Sequence, residues 1–191
     1  MSGKADGRMK RWQEQRWILD AVIRTVGVEW DQGRLRYGAA PGGNQAAGEF
    51  RAVGAKIKRV GDFVREFSNA AKRREGKAVA FEEAGRLVSA RESYMTASLL
   101  WAAGRWPIFE TNDELEHLEE RMNHCYAKFI EHAPHPVEIV RIPFEGKELP
   151  GYLHLPRKPQ PGETFPCVVN IPGMDSSKET GVNMYGDSYL Q

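Results

Sequence analysis

The chain has 191 residues, 41% of them hydrophobic, which is enough for one or two small domains with cores of their own. A formal net charge of +1 gives no global attraction to nucleic acid or membrane, and two cysteines make no disulfide framework. With no signal peptide or membrane-length apolar run in the sequence, a reducing cytoplasm is the expected compartment. The charge is uneven: residues 1–76 hold 16 Lys/Arg against 9 Asp/Glu, and residues 77–191 hold 11 against 17. Exposed pairs are worth so little that two solvated surfaces explain this better than mutual attraction.

Residues 1–7 are small and polar and read as a disordered tail. A helix is expected from Met9 to Val26, with Trp12, Ile18, Leu19, Val22, Ile23 and Val26 as its apolar stripe and Trp17 widening it. Residues 27–48, rich in Gly and small side chains, read as a long connection with Pro41-Gly42-Gly43-Asn44 as its breaker. In a second helix, Phe50, Val53, Ile57, Val60, Val64, Phe67 and Ala71 alternate by three and four and share one face. Lys56, Lys58, Arg59, Arg65, Lys72 and Arg73 lie mostly off it. Base readout needs more than charge, so these basic residues read as a solvated face rather than an RNA-binding one.

A third helix is expected over about Phe81–Gly104, with Leu87, Val88, Met95, Leu99 and Trp101 in its apolar content, ended by Arg105-Trp106-Pro107. A fourth starts at Asn112, a good N-cap followed by Asp113 and Glu114. Its stripe is Leu115, Leu118, Met122, Cys125, Tyr126 and Phe129. Pro134-His135-Pro136 stops it, and residues 8–133 read as an all-helical domain. Beyond that point the period changes from about 3.6 to 2. Val137–Ile142 is a strand, Glu145-Gly146-Lys147 a tight turn and Gly151–Leu155 the return strand. Pro156–Pro166 is a proline-rich loop. Cys167–Ile171 is a short β-prone run between prolines, read as a buried third strand, and Cys125 and Cys167 both read as small buried hydrophobes.

The chemistry sits after that run. Pro172-Gly173 turns the chain, and Ser176 and Glu179 stand three apart, as in a capping box that opens a helix. A strand, a glycine turn and a helix start leave main-chain amides free at Gly173, Met174 and Asp175, suited to a developing negative charge. Val182–Gln191 reads as the continuation of that helix. PCVVNIPGMDSSKET resembles the strand-3 and oxyanion-loop segment of α/β-hydrolases, and VEIVRIPFEGKELPGYLHLP resembles the hairpin that opens their sheet. Within the superfamily, the resemblance is to a helical-lid subgroup that includes 2,6-dihydroxypseudooxynicotine hydrolase, fungal polyketide chain-shortening hydrolases and FrsA-like esterases. Those proteins carry G-x-[DE]-S-[ST]-K-E after strand 3, matched throughout by Gly173–Glu179. Asn170-Ile171-Pro172 departs from the His-Gly that many hydrolases place before the oxyanion residue.

The resemblance implies an α+β to α/β chain: a helical lid domain over residues 8–133, then over 137–191 the first strands, oxyanion loop and first helix of an α/β-hydrolase sheet, incomplete. It implies that Met174 lends its backbone N–H to the oxyanion, with Gly173 shaping the turn and Asp175 near the substrate. Tyr94 and Trp101, seven apart on the third helix, are candidates for lining the cleft, with core packing as the plainer alternative. No G-x-S-x-G nucleophile turn occurs; Gly186-Asp187-Ser188 begins one but lacks the second glycine. The nucleophile, acid and histidine are therefore expected beyond residue 191, and the chain alone is expected to be inactive. Ser176 and Ser177 read as helix caps rather than nucleophiles, and Lys178 and Glu179 as local electrostatics pointing different ways. His117, Glu120 and His124 share a helix side at metal-ligand spacing, yet lie opposite the apolar stripe and read as solvated; His154 reads as structural. Neither a cofactor nor a metal is expected. The expected reaction is cleavage of a C–C bond beside a ketone, or of an ester. The expected partner is a small-molecule ketone or ester, with a homodimer compatible and neither nucleic acid nor membrane. The competing reading is a non-catalytic helical interaction module presenting the Phe50–Ala71 face.

Overall fold

A computed structural model of the chain describes residues 11–30, 34–156, 158, 160–173 and 176–185. The expected disorder of residues 1–7 lies outside them. Helix α1 (Arg11–Val26) is followed by a short 3-10 turn at Val28–Trp30, then α2 (Arg34–Ala39), a second 3-10 turn at Ala40–Gly42 and α3 (Gly43–Gly54). Residues 27–48 are thus largely helical where a connection was expected. Four alanines (Ala39, Ala40, Ala46 and Ala47) favour helix here, and Pro41 stands in the first turn of a 3-10 helix, where its missing N–H costs nothing. Gly42 is needed for packing, since a Cβ there would stand 2.5 Å from that of Ala46. The α1 stripe is narrower than expected: Ile23 is buried, but Trp17, Ile18 and Val26 are exposed.

The Phe50–Ala71 face does not lie on one helix. The chain leaves α3 at Gly54 and re-enters helix at α4 (Asp62–Glu83). Two carboxylates hold the break open: Lys58 N and Arg59 N donate to Asp62 Oδ2 at 3.1 and 3.2 Å, and Val60 N donates to Asp20 Oδ1 at 2.8 Å. Backbone donors that a helix would satisfy are satisfied by side chains instead. Ile57 and Val60 still point inward, so the apolar spacing survives without the helix.

A second correction falls at the next junction. The expected helix from Phe81 is really the end of α4 followed by α5 (Leu87–Gly104). Between them Gly85 adopts φ +69°, Arg86 N donates to Phe81 O and Gly85 N to Glu82 O, which is a Schellman cap. Leu87 and Val88, expected in the stripe, are exposed. Helix α6 (Asp113–Glu131) begins as expected, with Leu115 N donating to Asn112 Oδ1 at 2.9 Å. Leu118, Met122, Cys125, Tyr126 and Phe129 of its stripe are buried, with α6 packing on α5, whereas Leu115 at its start is only half-buried. The core therefore lies among α4, α5 and α6, with Phe50 edge-on to Phe67 at 5.4 Å joining α3 to it. Among the described residues no helix is long and apolar enough to cross a membrane.

Strands β1 (Val137–Phe144) and β2 (Lys147–His154) form an antiparallel hairpin with Phe144 opposite Lys147 and Val137 opposite His154. Glu145 and Gly146 both have positive φ (46° and 75°), the geometry of a tight turn that matches strand twist. The return strand thus starts four residues earlier than expected. The third strand differs more: Cys167–Ile171 carries no strand assignment, and Cys167, Val168, Val169 and Ile171 are exposed. Strand structure requires a hydrogen-bonded neighbour, and the only ladder among the described residues is β1–β2. The last described helix is α7 (Lys178–Tyr185). A mostly helical region followed by a two-stranded antiparallel hairpin is the order of elements the sequence implied.

Candidate active-site cleft

A cleft of about 840 Å³ separates the helical region from the segment after the hairpin, a volume within the range of small-molecule sites. One wall is helical: Leu35 of α2, Phe50 of α3, Phe63 of α4, Leu99 of α5, Trp106 after it and Leu115 of α6. Asn170–Gly173 and Ser176–Ser177, with Thr180 and Gly181 of α7, form the opposing wall. Asn170 and Pro172 pack against α7 at Gly181, where an added Cβ would lie 2.9 Å from Asn170 Nδ2. That glycine lets the segment lie close to the helix. Ser176 N donates to Gly173 O at 3.0 Å. Among the described residues, its chain neighbours apart, no atom lies within 4 Å of where a Gly173 Cβ would stand.

Gly173 is thus placed at the cleft. Met174 and Asp175 lie outside the described residues. Tyr94 and Trp101 are buried inside the bundle and do not line this cleft. Tyr94 donates to Glu82 Oε2 at 2.6 Å and Trp101 Nε1 to Glu75 Oε2 at 3.3 Å. Glu75 also pairs with Arg121, and the sequence pattern had put neither Glu75 nor the equally buried Arg74 inside. Arg74 pairs with Glu49 of α3.

The capping at α7 is shifted by one residue from the expected pair. Ser177 rather than Ser176 caps the helix, its Oγ meeting Thr180 Oγ1 at 3.1 Å and Thr180 N at 3.4 Å. Glu179 does not fold back into a capping box. It is 1% exposed, accepts from the Tyr152 hydroxyl at 3.0 Å and pairs with Lys178 beside it. Tyr152 in turn lies 4.6 Å, ring to ring, from Tyr126 of α6. This knot ties α7, the hairpin and the helical region together, and it keeps the Tyr152 hydroxyl protonated: burial, then the Glu179 charge, push its pKa up. The apolar setting of Tyr152 on β2 gave no sign of a charged partner 27 residues on.

The spacing of His117, Glu120 and His124 does not bring them together as ligands. His117 lies edge-on to Trp101 at 5.9 Å, and the His124 Nε2 stands 3.9 Å from Glu75, its pKa lowered by burial and then by Arg121 and Lys128. Among the described residues, Glu82, Glu131 and His132 present ligand atoms within 4.8 Å of one another. Lys128 Nζ already bridges the two carboxylates at 3.1 and 2.9 Å, so an ammonium takes the cation's place. The Tyr94 hydroxyl, with help from Lys128 and His132, holds the Glu82 carboxyl down at about 2 against the opposing effect of burial. A carboxylate depressed in the folded state stabilises above its unfolded value of 4.5 and loses that contribution as pH falls toward 2. Glu82 is a quarter exposed, so about 1–2 kcal/mol should go across that window. Urea unfolding at pH 4.5 and pH 2.5 should show a steeper loss for the parent than for Glu82→Gln; equal slopes would contradict the cluster's role.

The sequence pattern of the family described as Esterase FrsA-like matches residues 52–191. The chain is 31% identical over 185 residues, 89% of its length, to an alpha/beta hydrolase, ucsC, of an Acremonium species. It is 24% identical over 129 residues, 68% of its length, to esterase FrsA of Photobacterium profundum, and 32% identical over 106 residues, 51% of its length, to alpha/beta hydrolase psoB of Aspergillus fumigatus. It spans 35%, 30% and 24% of those proteins respectively. A helical region facing the turn that follows a sheet-opening hairpin defines one end of an α/β-hydrolase. The chain belongs to the FrsA-like esterase family.

Proposed function

We propose that this chain supplies the helical lid and the oxyanion loop of a serine-dependent hydrolase acting on an ester or on a C–C bond beside a ketone. The observation that carries the reading is the cleft, apolar on its helical side and bounded on the other by Asn170–Gly173 and the start of α7. Substrate enters against Leu99, Phe63 and Trp106 while its carbonyl faces the glycine turn. The Met174 backbone N–H receives the oxyanion, supported by the match of Gly173–Glu179 to the family motif and by Gly173 standing at the cleft. The nucleophile, acid and histidine come from outside residues 1–191. The interaction-module reading loses its motive, because Phe50, Val53, Ile57, Val60, Phe67 and Ala71 are all buried within the fold.

Fluorophosphonate labelling tests this. The 191-residue chain is expected to remain unlabelled, while the product of the coding sequence extended past Gln191 labels at one serine. Labelling of the short chain would contradict the division of the site, and an unlabelled longer product would contradict a serine nucleophile.

A further inference from the structure

The cleft is apolar over most of its helical wall but, among the described residues that line it, holds one cation. Arg105, just past the end of α5, lines it together with Glu119 of α6. The guanidinium is poorly partnered for its setting. Its Nη1 donates to the Met122 thioether sulfur at 3.2 Å and lies 3.6 Å from Glu119 Oε1, while its Nε is buried with no partner. Among the described residues, then, no oxygen acceptor lies within hydrogen-bond distance of a group that carries five donors, and its nearest carboxylate, Glu119, forms only a loose ion pair. The Arg105 side chain is 24% exposed, whereas that of Glu119 is 46% exposed and keeps its water. A largely buried guanidinium whose one carboxylate stands too far for a hydrogen bond is under-satisfied, and its planar fork matches a second carboxylate.

We propose that Arg105 binds a carboxylate on the substrate. The ketone or ester taken by this cleft is then an acid, with an apolar body between its carboxylate at Arg105 and its reacting carbonyl at Gly173. A cleft of about 840 Å³ has room for a body the size of one or two aromatic rings. Arg105 rather than Glu119 is the anchor, because its ion-pair partner Glu119 stands beyond hydrogen-bond distance at 3.6 Å and is itself half exposed, so a substrate carboxylate can take its place at the guanidinium. This specificity rests on the hydrolase reading above, but binding requires no nucleophile, so the two stand or fall in separate experiments.

Titration calorimetry with 2-naphthoate and its neutral isostere 2-naphthamide on the full chain tests the proposal. The parent should prefer the acid by about tenfold, the return on a charge-assisted hydrogen bond. Arg105→Gln should bring the two ligands to within about twofold, while Arg105→Lys retains part of the preference. Because Glu119 is half exposed, Glu119→Gln should fold normally and bind the acid severalfold tighter by removing a competing anion. Equal affinity of the parent for both ligands, binding of neither, or an unchanged preference in folded Arg105→Gln would overturn the assignment. So would unchanged acid binding in Glu119→Gln. Any of these results leaves the outcome of fluorophosphonate labelling untouched.

Discussion

Replacing Trp101 with alanine is expected to destabilise the chain by about 3–5 kcal/mol, the usual loss for a large aromatic removed from a packed core. Trp101 is among the largest fully buried side chains, 1% exposed on α5. Its indole N–H donates to Glu75 on α4, and its ring lies edge-on to His117 on α6. Truncation empties the centre of the three-helix packing and takes one partner from a carboxylate that is itself buried. The loss should appear in the urea midpoint with an unchanged slope. Val88→Ala on the same helix, at a position 64% exposed, should stay within about 0.5 kcal/mol of the parent. A loss below about 1 kcal/mol for Trp101→Ala would contradict the placement of this side chain in the core.

What could be read from the sequence followed the range of each interaction. The Asn112 cap, the Glu145-Gly146 turn and the α6 stripe depend on residues within a few positions of one another, and all three stand in the structure. The break between α3 and α4 was not legible, because one of the carboxylates that hold it open, Asp20, lies 40 residues from the amide it receives. Apolar periodicity across the break is intact, so periodicity alone extended the helix through it. The same reasoning sent charges outward by default and so missed Glu75, Arg74 and Glu179, which are buried with partners on other elements. The Cys167–Ile171 run shows the reverse: its composition favours a strand, but composition supplies no neighbour to pair with. The glycine turn of the GMDSSKE loop was visible as a motif. Its opposing wall, drawn from five helices and the turn after α5, was not.

The proposed oxyanion role of the loop is tested most directly on the main chain at Met174. In a longer product of the coding sequence that has the proposed activity, Met174→Pro removes the backbone N–H and Met174→Ala keeps it. Loss of one oxyanion donor typically costs about 3–4 kcal/mol of transition-state stabilisation, or about 10²–10³ in kcat. The proline variant should therefore fall by that factor with KM and melting temperature little changed. The alanine variant should remain within a few-fold of the parent in kcat. A proline variant that turns over as fast as the alanine one would contradict the assignment of this loop to the oxyanion.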